Sequence, residues 1–135
     1  MRLAIVAAQF NAEVTDRMVE SALEQAKDRN VHVSTVVRVP GAFEIPLAVQ
    51  ALLRRDDVDA VVAIGAVIKG ETLHDEAIMA AVCPALLELG LRESKPVGLG
   101  ITGPGVTDEQ AIERIRNAAR AVDSVVAMYE LMKGL

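Results

Sequence analysis

Short β-type runs alternate with helical ones four times along this chain, and no other feature constrains its fold as tightly. The runs LAIVAA (3–8), VHVSTVVRV (31–39), DAVVAIGAVI (59–68) and PVGLGIT (96–102) read as strands. Between and after them lie apolar residues at i, i+4 spacing with charges interleaved, the pattern of amphipathic helices. The first helix is predicted from Asn11, a good N-cap residue, to about residue 29, with Val14, Met18, Val19, Ala22, Leu23 and Ala26 on one face. The second, EIPLAVQALLRR, tolerates Pro46 only in its first turn. The third is predicted from Thr72 to about Leu89, with Pro84 expected to kink or divide it. The fourth opens at TDEQ, where Thr107 and Gln110 form a capping box, and continues to Tyr129. Strict alternation implies an α/β fold, a four-stranded parallel sheet with helices on both faces. The 135 residues make one domain, 1–135.

In such sheets ligands bind beyond the C-terminal ends of the strands, near the point where strand order reverses. The loops at 8–11, 39–44, 66–74 and 102–107 are therefore where a site belongs. Residues 77 to 87 carry no charge on any face, and the second helix is nearly as apolar. A helix apolar all round is buried all round, yet a four-stranded sheet covers one side only. The other side is expected to pack on another subunit, making the protein an obligate homo-oligomer. The net charge of −5 argues against a nucleic-acid surface, which needs clustered positive charge. A single cysteine, Cys83, and the absence of a membrane-length apolar run point to a cytoplasmic protein.

The chain holds three aromatic residues, and both phenylalanines fall in candidate ligand loops: Phe10 in AQFNAE and Phe43 in VPGAFEIP. Aromatic faces at strand ends suit stacking on a flat heterocycle. The alternative is that they plug helix ends. Glu44 favours a helix N-terminus and can also hydrogen-bond a ligand, while the backbone of Ala42 to Glu44 offers donors and acceptors to a ring edge.

The stretch GETLHDE reads as a helix start, with Thr72 at the N-cap and Asp75 at the third helical position. The amides of Gly70, Glu71 and Thr72 would then form an anion site fit for a phosphate. His74 falls in the first turn, where the helix dipole favours the neutral imidazole that a general base requires. A solvent-facing cap histidine is the plain alternative. His32 reads as structural, and one histidine beside two acids offers too few converging ligands for a metal. Arg114 and Arg120 read as solvated helix residues. GLGITG (98–103) matches a dinucleotide fingerprint by spacing, but its first glycines lie inside a strand and no acid-bearing strand follows.

Four motifs, QFN, VPGAFEIPLA, GAVIKGETLHDE and EQAIER, occur in an order that resembles the 6,7-dimethyl-8-ribityllumazine synthase family of riboflavin biosynthesis. The loop ITGPGVT is similar to its archaeal branch. The resemblance implies a flavodoxin-like three-layer sandwich assembled as pentamers or multiples of pentamers, with sites between subunits. It implies a transferase without metal or organic cofactor. The reaction would condense 5-amino-6-(D-ribitylamino)uracil with 3,4-dihydroxy-2-butanone 4-phosphate to the lumazine, phosphate and water, the penultimate step of the pathway. Position by position, Phe10 would stack on the pyrimidine, and Ala42, Phe43 and Glu44 would hold it with its ribityl chain. Ala66, Val67 and Ile68 would line the ring, and Leu99 would close the site where many relatives have Phe. Glu71, Thr72 and Arg114 would bind the phosphate, with Arg114 from a neighbouring subunit, and His74 would transfer protons. Arg120, near a family lysine position, would support the phosphate. An archaeal-type riboflavin synthase and a non-catalytic flavin- or lumazine-binding shell protein are the rival readings.

Overall fold

A computed structural model describes residues 1–70 and 73–135; Glu71 and Thr72, two of the expected phosphate ligands, lie outside the described residues. The chain runs β1 (Arg2–Ala8), α1 (Ala12–Asp28), β2 (His32–Val39), a 3₁₀ turn (Ala42–Glu44) and α2 (Ile45–Leu53). It continues β3 (Ala60–Ile68), α3 (His74–Glu93), β4 (Val97–Val106), α4 (Asp108–Glu113) and α5 (Asn117–Lys133). All strand pairings are parallel, in the order β2-β1-β3-β4. Strand order therefore reverses between β1 and β3, the central pair.

The sheet divides two cores, because successive side chains of a strand point to opposite faces. Leu3, Ile5 and Ala7 of β1 and Val62 and Ile64 of β3 pack with α1 and α5 on one face. Ala4 and Val6 of β1 and Val61 and Ala63 of β3 pack with α2 and α3 on the other. β3 is buried at every position but its last, which explains its unbroken apolar sequence. The three-layer α/β arrangement expected from the alternation is what forms.

Several boundaries depart from expectation. The predicted fourth helix is two. Its capping box is present, with Thr107 Oγ1 accepting from the Gln110 amide at 3.2 Å and Gln110 Oε1 accepting from the Thr107 amide at 3.0 Å. After Glu113 the bonding tightens: the amide of Ile115 reaches Ile112, Asn117 reaches Arg114 and Ala118 reaches Ile115, three residues back rather than four. The two helices each bury a small residue, Ala111 and Ala118, against the sheet. α3 is not divided at Pro84 but runs through it to Glu93. It starts at His74 with Leu73 at the N-cap; the expected Thr72 cap lies outside the described residues. Asp75, expected to close a capping box with Thr72, has its Oδ2 on the amide of Gly105. β4 extends four residues past Thr102, to Val106.

Only one stripe of α3, including Met79, Val82, Leu86 and Leu89, is buried by the sheet. Leu87 and Leu91 on its outer side remain 67% and 72% exposed, and Leu47 of α2 is exposed too. An open apolar groove of about 750 Å³ runs between α3 and α5 along the free edge of β4, lined by Leu87, Leu91, Leu99 and Met128 among others. No helix among the described residues is long and apolar enough to cross a membrane.

Candidate active site

A concave pocket of about 560 Å³ opens beyond the C-terminal ends of β1, β2 and β3, at the reversal of strand order. The volume suits a drug-sized ligand. Its floor comes from Ala8 at the end of β1 and from Ala66, Val67 and Ile68 at the end of β3. Pro40, Gly41, Ala42, Phe43 and Glu44 form one wall, and Gly70, His74, Asp75 and Ile78 another, with Phe10 and Asn11 beside the β1 end.

The local backbone explains why these groups converge. Beyond the last paired residues of β1 and β2, the amide of Gln9 donates to the Val39 carbonyl at 2.7 Å and that of Phe10 to Pro40 at 3.0 Å. The β1–α1 and β2–α2 loops are thereby zipped together, and Phe10 is brought beside the Pro40-Gly41 step. Asn11 adopts a left-handed backbone, φ 61°, which non-glycine residues other than Asn and Asp rarely tolerate. Its side chain does not cap α1; its amide nitrogen Nδ2 donates to the Ala66 carbonyl at 2.8 Å. Sequence reasoning gave Asn11 the N-cap position and missed this second role. The Ala66 carbonyl is consequently engaged by protein, although its residue still lines the pocket.

Phe43 sits in the 3₁₀ turn that leads into α2, and Pro46 occupies the first turn of that helix, where its missing N–H costs nothing. Phe10 and Phe43 are 72% and 65% exposed, so two of the chain's three aromatic residues are left out of both cores. Leaving that much aromatic surface in water is unfavourable unless something else covers it. Glu44 is exposed at the same rim, and the α2 N-terminus beside it favours a negative charge.

His74 is the first residue of α3 and lines the pocket. Next to it, Asp75 is buried to 5% exposure, and its Oδ2 accepts a hydrogen bond from the amide of Gly105 at 2.9 Å. Sequence reasoning assigned Asp75 only a capping role. The tie to a residue thirty positions away carries no local signal.

Of the expected site residues, Phe10, Ala42, Phe43, Glu44, Ala66, Val67, Ile68 and His74 all line this pocket. Leu99 and Arg114 do not. Leu99 lies on β4 in the groove between α3 and α5, because it is the third residue of that strand, opposite Ala63 and well short of the strand's C-terminal end. Arg114 is exposed at the C-cap of α4 and, among the described residues, makes no ion pair. Arg120 donates to Asn117 Oδ1 at 3.4 Å on the surface of α5.

The comparisons with known proteins agree with one another. The family model for 6,7-dimethyl-8-ribityllumazine synthase matches residues 1–133. A curated 6,7-dimethyl-8-ribityllumazine synthase of Metallosphaera sedula is 52% identical over 136 residues, covering 100% of this chain and 90% of its own length. Those of Methanopyrus kandleri and Saccharolobus solfataricus are 47% and 46% identical, each over 100% of this chain, and over 96% and 88% of their own lengths. With a match of this extent joined to a pocket at the strand-order reversal, the chain belongs to the 6,7-dimethyl-8-ribityllumazine synthase family.

Proposed function

We propose that the protein condenses 5-amino-6-(D-ribitylamino)uracil with 3,4-dihydroxy-2-butanone 4-phosphate to 6,7-dimethyl-8-ribityllumazine, with loss of phosphate and water. The observation that carries this reading is the exposure of Phe10 and Phe43 at a pocket that His74 also lines. A flat pyrimidine offers those rings the cover that the cores do not.

The pyrimidine stacks on Phe10, with the backbone of Ala42 and Phe43 at its edge and Glu44 toward the ribityl hydroxyls. Val67 and Ile68 floor the ring. Glu71 and Thr72, with Arg114, bind the phosphate of the second substrate. The 5-amino group and the ketone condense to an imine with loss of one water, phosphate leaves by elimination, and the ribitylamino nitrogen closes the ring on the resulting carbonyl with loss of a second water. Each step needs protons moved at one carbon skeleton, the task of His74. Holding the substrates together removes much of the entropic barrier. A positioned base adds about 10²–10⁴-fold, and cationic groups at the departing phosphate stabilise developing charge.

Leu99 and Arg114 come from a neighbouring subunit in this reading. Two features support it: both lie outside their own protomer's pocket, and apolar side chains on α2, α3 and β4 remain uncovered in one chain. A cyclic assembly such as a pentamer sets the β4 and α4 side of one protomer against the pocket of the next. Arg120, on the first turn of α5, supports the phosphate in this reading. We place the enzyme in the cytoplasm, which its unpaired Cys83 suits.

The test is lumazine formation followed by absorbance and fluorescence, beside a no-enzyme control, because the substrates react slowly unaided. Wild-type protein should exceed the control clearly, and His74→Ala should fall by about 10²-fold or more. Folded, assembled protein that runs at the control rate would overturn the proposal.

A further inference from the structure

The 103–105 segment of β4 is a bulge: Thr102 pairs with Ala66 and Val106 with Ile68, so three residues stand opposite Val67 alone. It is closely fitted to the end of β3. Gly103 has φ +116°, and a Cβ there would lie 2.3 Å from the Val67 carbonyl oxygen. The Lys69 amide donates to the Val106 carbonyl at 2.8 Å. The bulge turns the Gly105 amide off the strand ladder and toward α3, where Asp75 Oδ2 receives it at 2.9 Å.

Asp75 is thus a buried carboxylate beside the pocket, one residue from His74, bonded to the segment that leads into α4. A buried carboxylate is retained only where donors compensate its lost hydration. Here one compensating donor comes from another element. The first turn of a helix frays more readily than its middle, and the pocket face of His74 belongs to that turn.

We propose that Asp75 is a positioning residue, locking the His74-bearing start of α3 to the β4 bulge and, through it, to the α4 segment that presents Arg114. The inference rests on the proposed reaction. A proton-transfer group must be held to within a fraction of an ångström, and a misplacement of about 1 Å can cost about 10²-fold. The lock also joins two different sites of an assembly, since His74 serves its own pocket and Arg114 the neighbour's.

Asp75→Ala should lower kcat by about 10–100-fold while KM for the pyrimidine changes less than about threefold. Asp75→Asn, whose amide oxygen still accepts from Gly105, should keep about a third of kcat or more. Gly105→Ala strains the same bulge at φ +78° without a steric clash and should also lower kcat with KM kept. The losses of Asp75→Ala and Gly105→Ala should fail to add in the double variant. A kcat for Asp75→Ala within about twofold of wild type, measured well below its unfolding temperature, would show a purely structural residue. Asparagine as slow as alanine, with a displaced pH–rate profile, would show charge acting on His74 and overturn the lock as well. If Asp75→Ala does not fold, unchanged kcat in Gly105→Ala overturns it. Hydrogen exchange at the Gly105 amide needs no turnover, so it separates this inference from the assigned reaction. The lock requires that amide to be protected in wild type and in Asp75→Asn.

Discussion

Gly103 and Gly105 flank one proline and share positive φ, yet their surroundings differ. At Gly103 a Cβ would meet the Val67 carbonyl oxygen at 2.3 Å; at Gly105 nothing lies within 4 Å. Both substitutions to alanine carry the cost of a left-handed backbone, about 1–3 kcal/mol. Gly103→Ala must in addition push β4 away from the end of β3, whose Ala66 to Ile68 floor the pocket. It should lose clearly more stability in chemical denaturation than Gly105→Ala, and equal losses would contradict the fit described for the bulge. Asn11 teaches a related lesson. Its type and place made it legible as a helix cap, and the helix does begin beside it. Its side-chain bond to Ala66, fifty-five residues away, was not legible, because it depends on how two loops meet in space. The same holds for Asp75 and Gly105. Phe10 and Phe43 were legible for the opposite reason: in a chain so poor in aromatics, two in strand-end loops are conspicuous before any fold is known.

Among the elements, β1 and β3 are joined at their N-terminal ends as firmly as they are paired along their length. The Arg2 amide donates to Asp59 Oδ2 at 2.6 Å, its guanidinium reaches the same carboxylate at 3.3 Å, and the Asp59 amide returns a bond to the Arg2 carbonyl at 2.9 Å. The Arg2 side-chain hydrogen bond holds the Asp59 carboxyl below the usual carboxylate range. A depressed carboxyl stabilises the fold at pH above its unfolded value, and the contribution fades as pH falls through the folded value. Asp59→Asn should therefore be less stable than wild type at neutral pH, with the gap closing below about pH 4. A gap constant across that range in pH-dependent denaturation would contradict the assignment. Element boundaries show where local signals end. The capping box at Thr107 was readable because it is written in four adjacent residues. The break before α5 was not, since Arg114, Ile115 and Arg116 are acceptable helix formers and the chain turns there to seat Ala118 on the sheet. Of the two outcomes expected at Pro84, division is excluded, because α3 runs through it to Glu93.

At the scale of the whole molecule, the sheet spends its two faces on two cores and leaves a further apolar surface unused. The charge-free stretch at 77–87 predicted this surface. The structure resolves it into a buried stripe and an exposed remainder that borders the groove holding Leu99. The pocket and the groove lie on different parts of the protomer, as the proposed sharing of each site between two subunits requires. The central claim is that His74 of one subunit works with Arg114 of the next. Its most direct test mixes His74→Ala with Arg114→Ala, each inactive alone, and verifies subunit exchange by native mass spectrometry. Random pairing around a head-to-tail ring should restore about a quarter of wild-type lumazine formation. A mixture no more active than its parents, despite complete exchange, would show that both residues serve the same protomer's site or that one of them serves none.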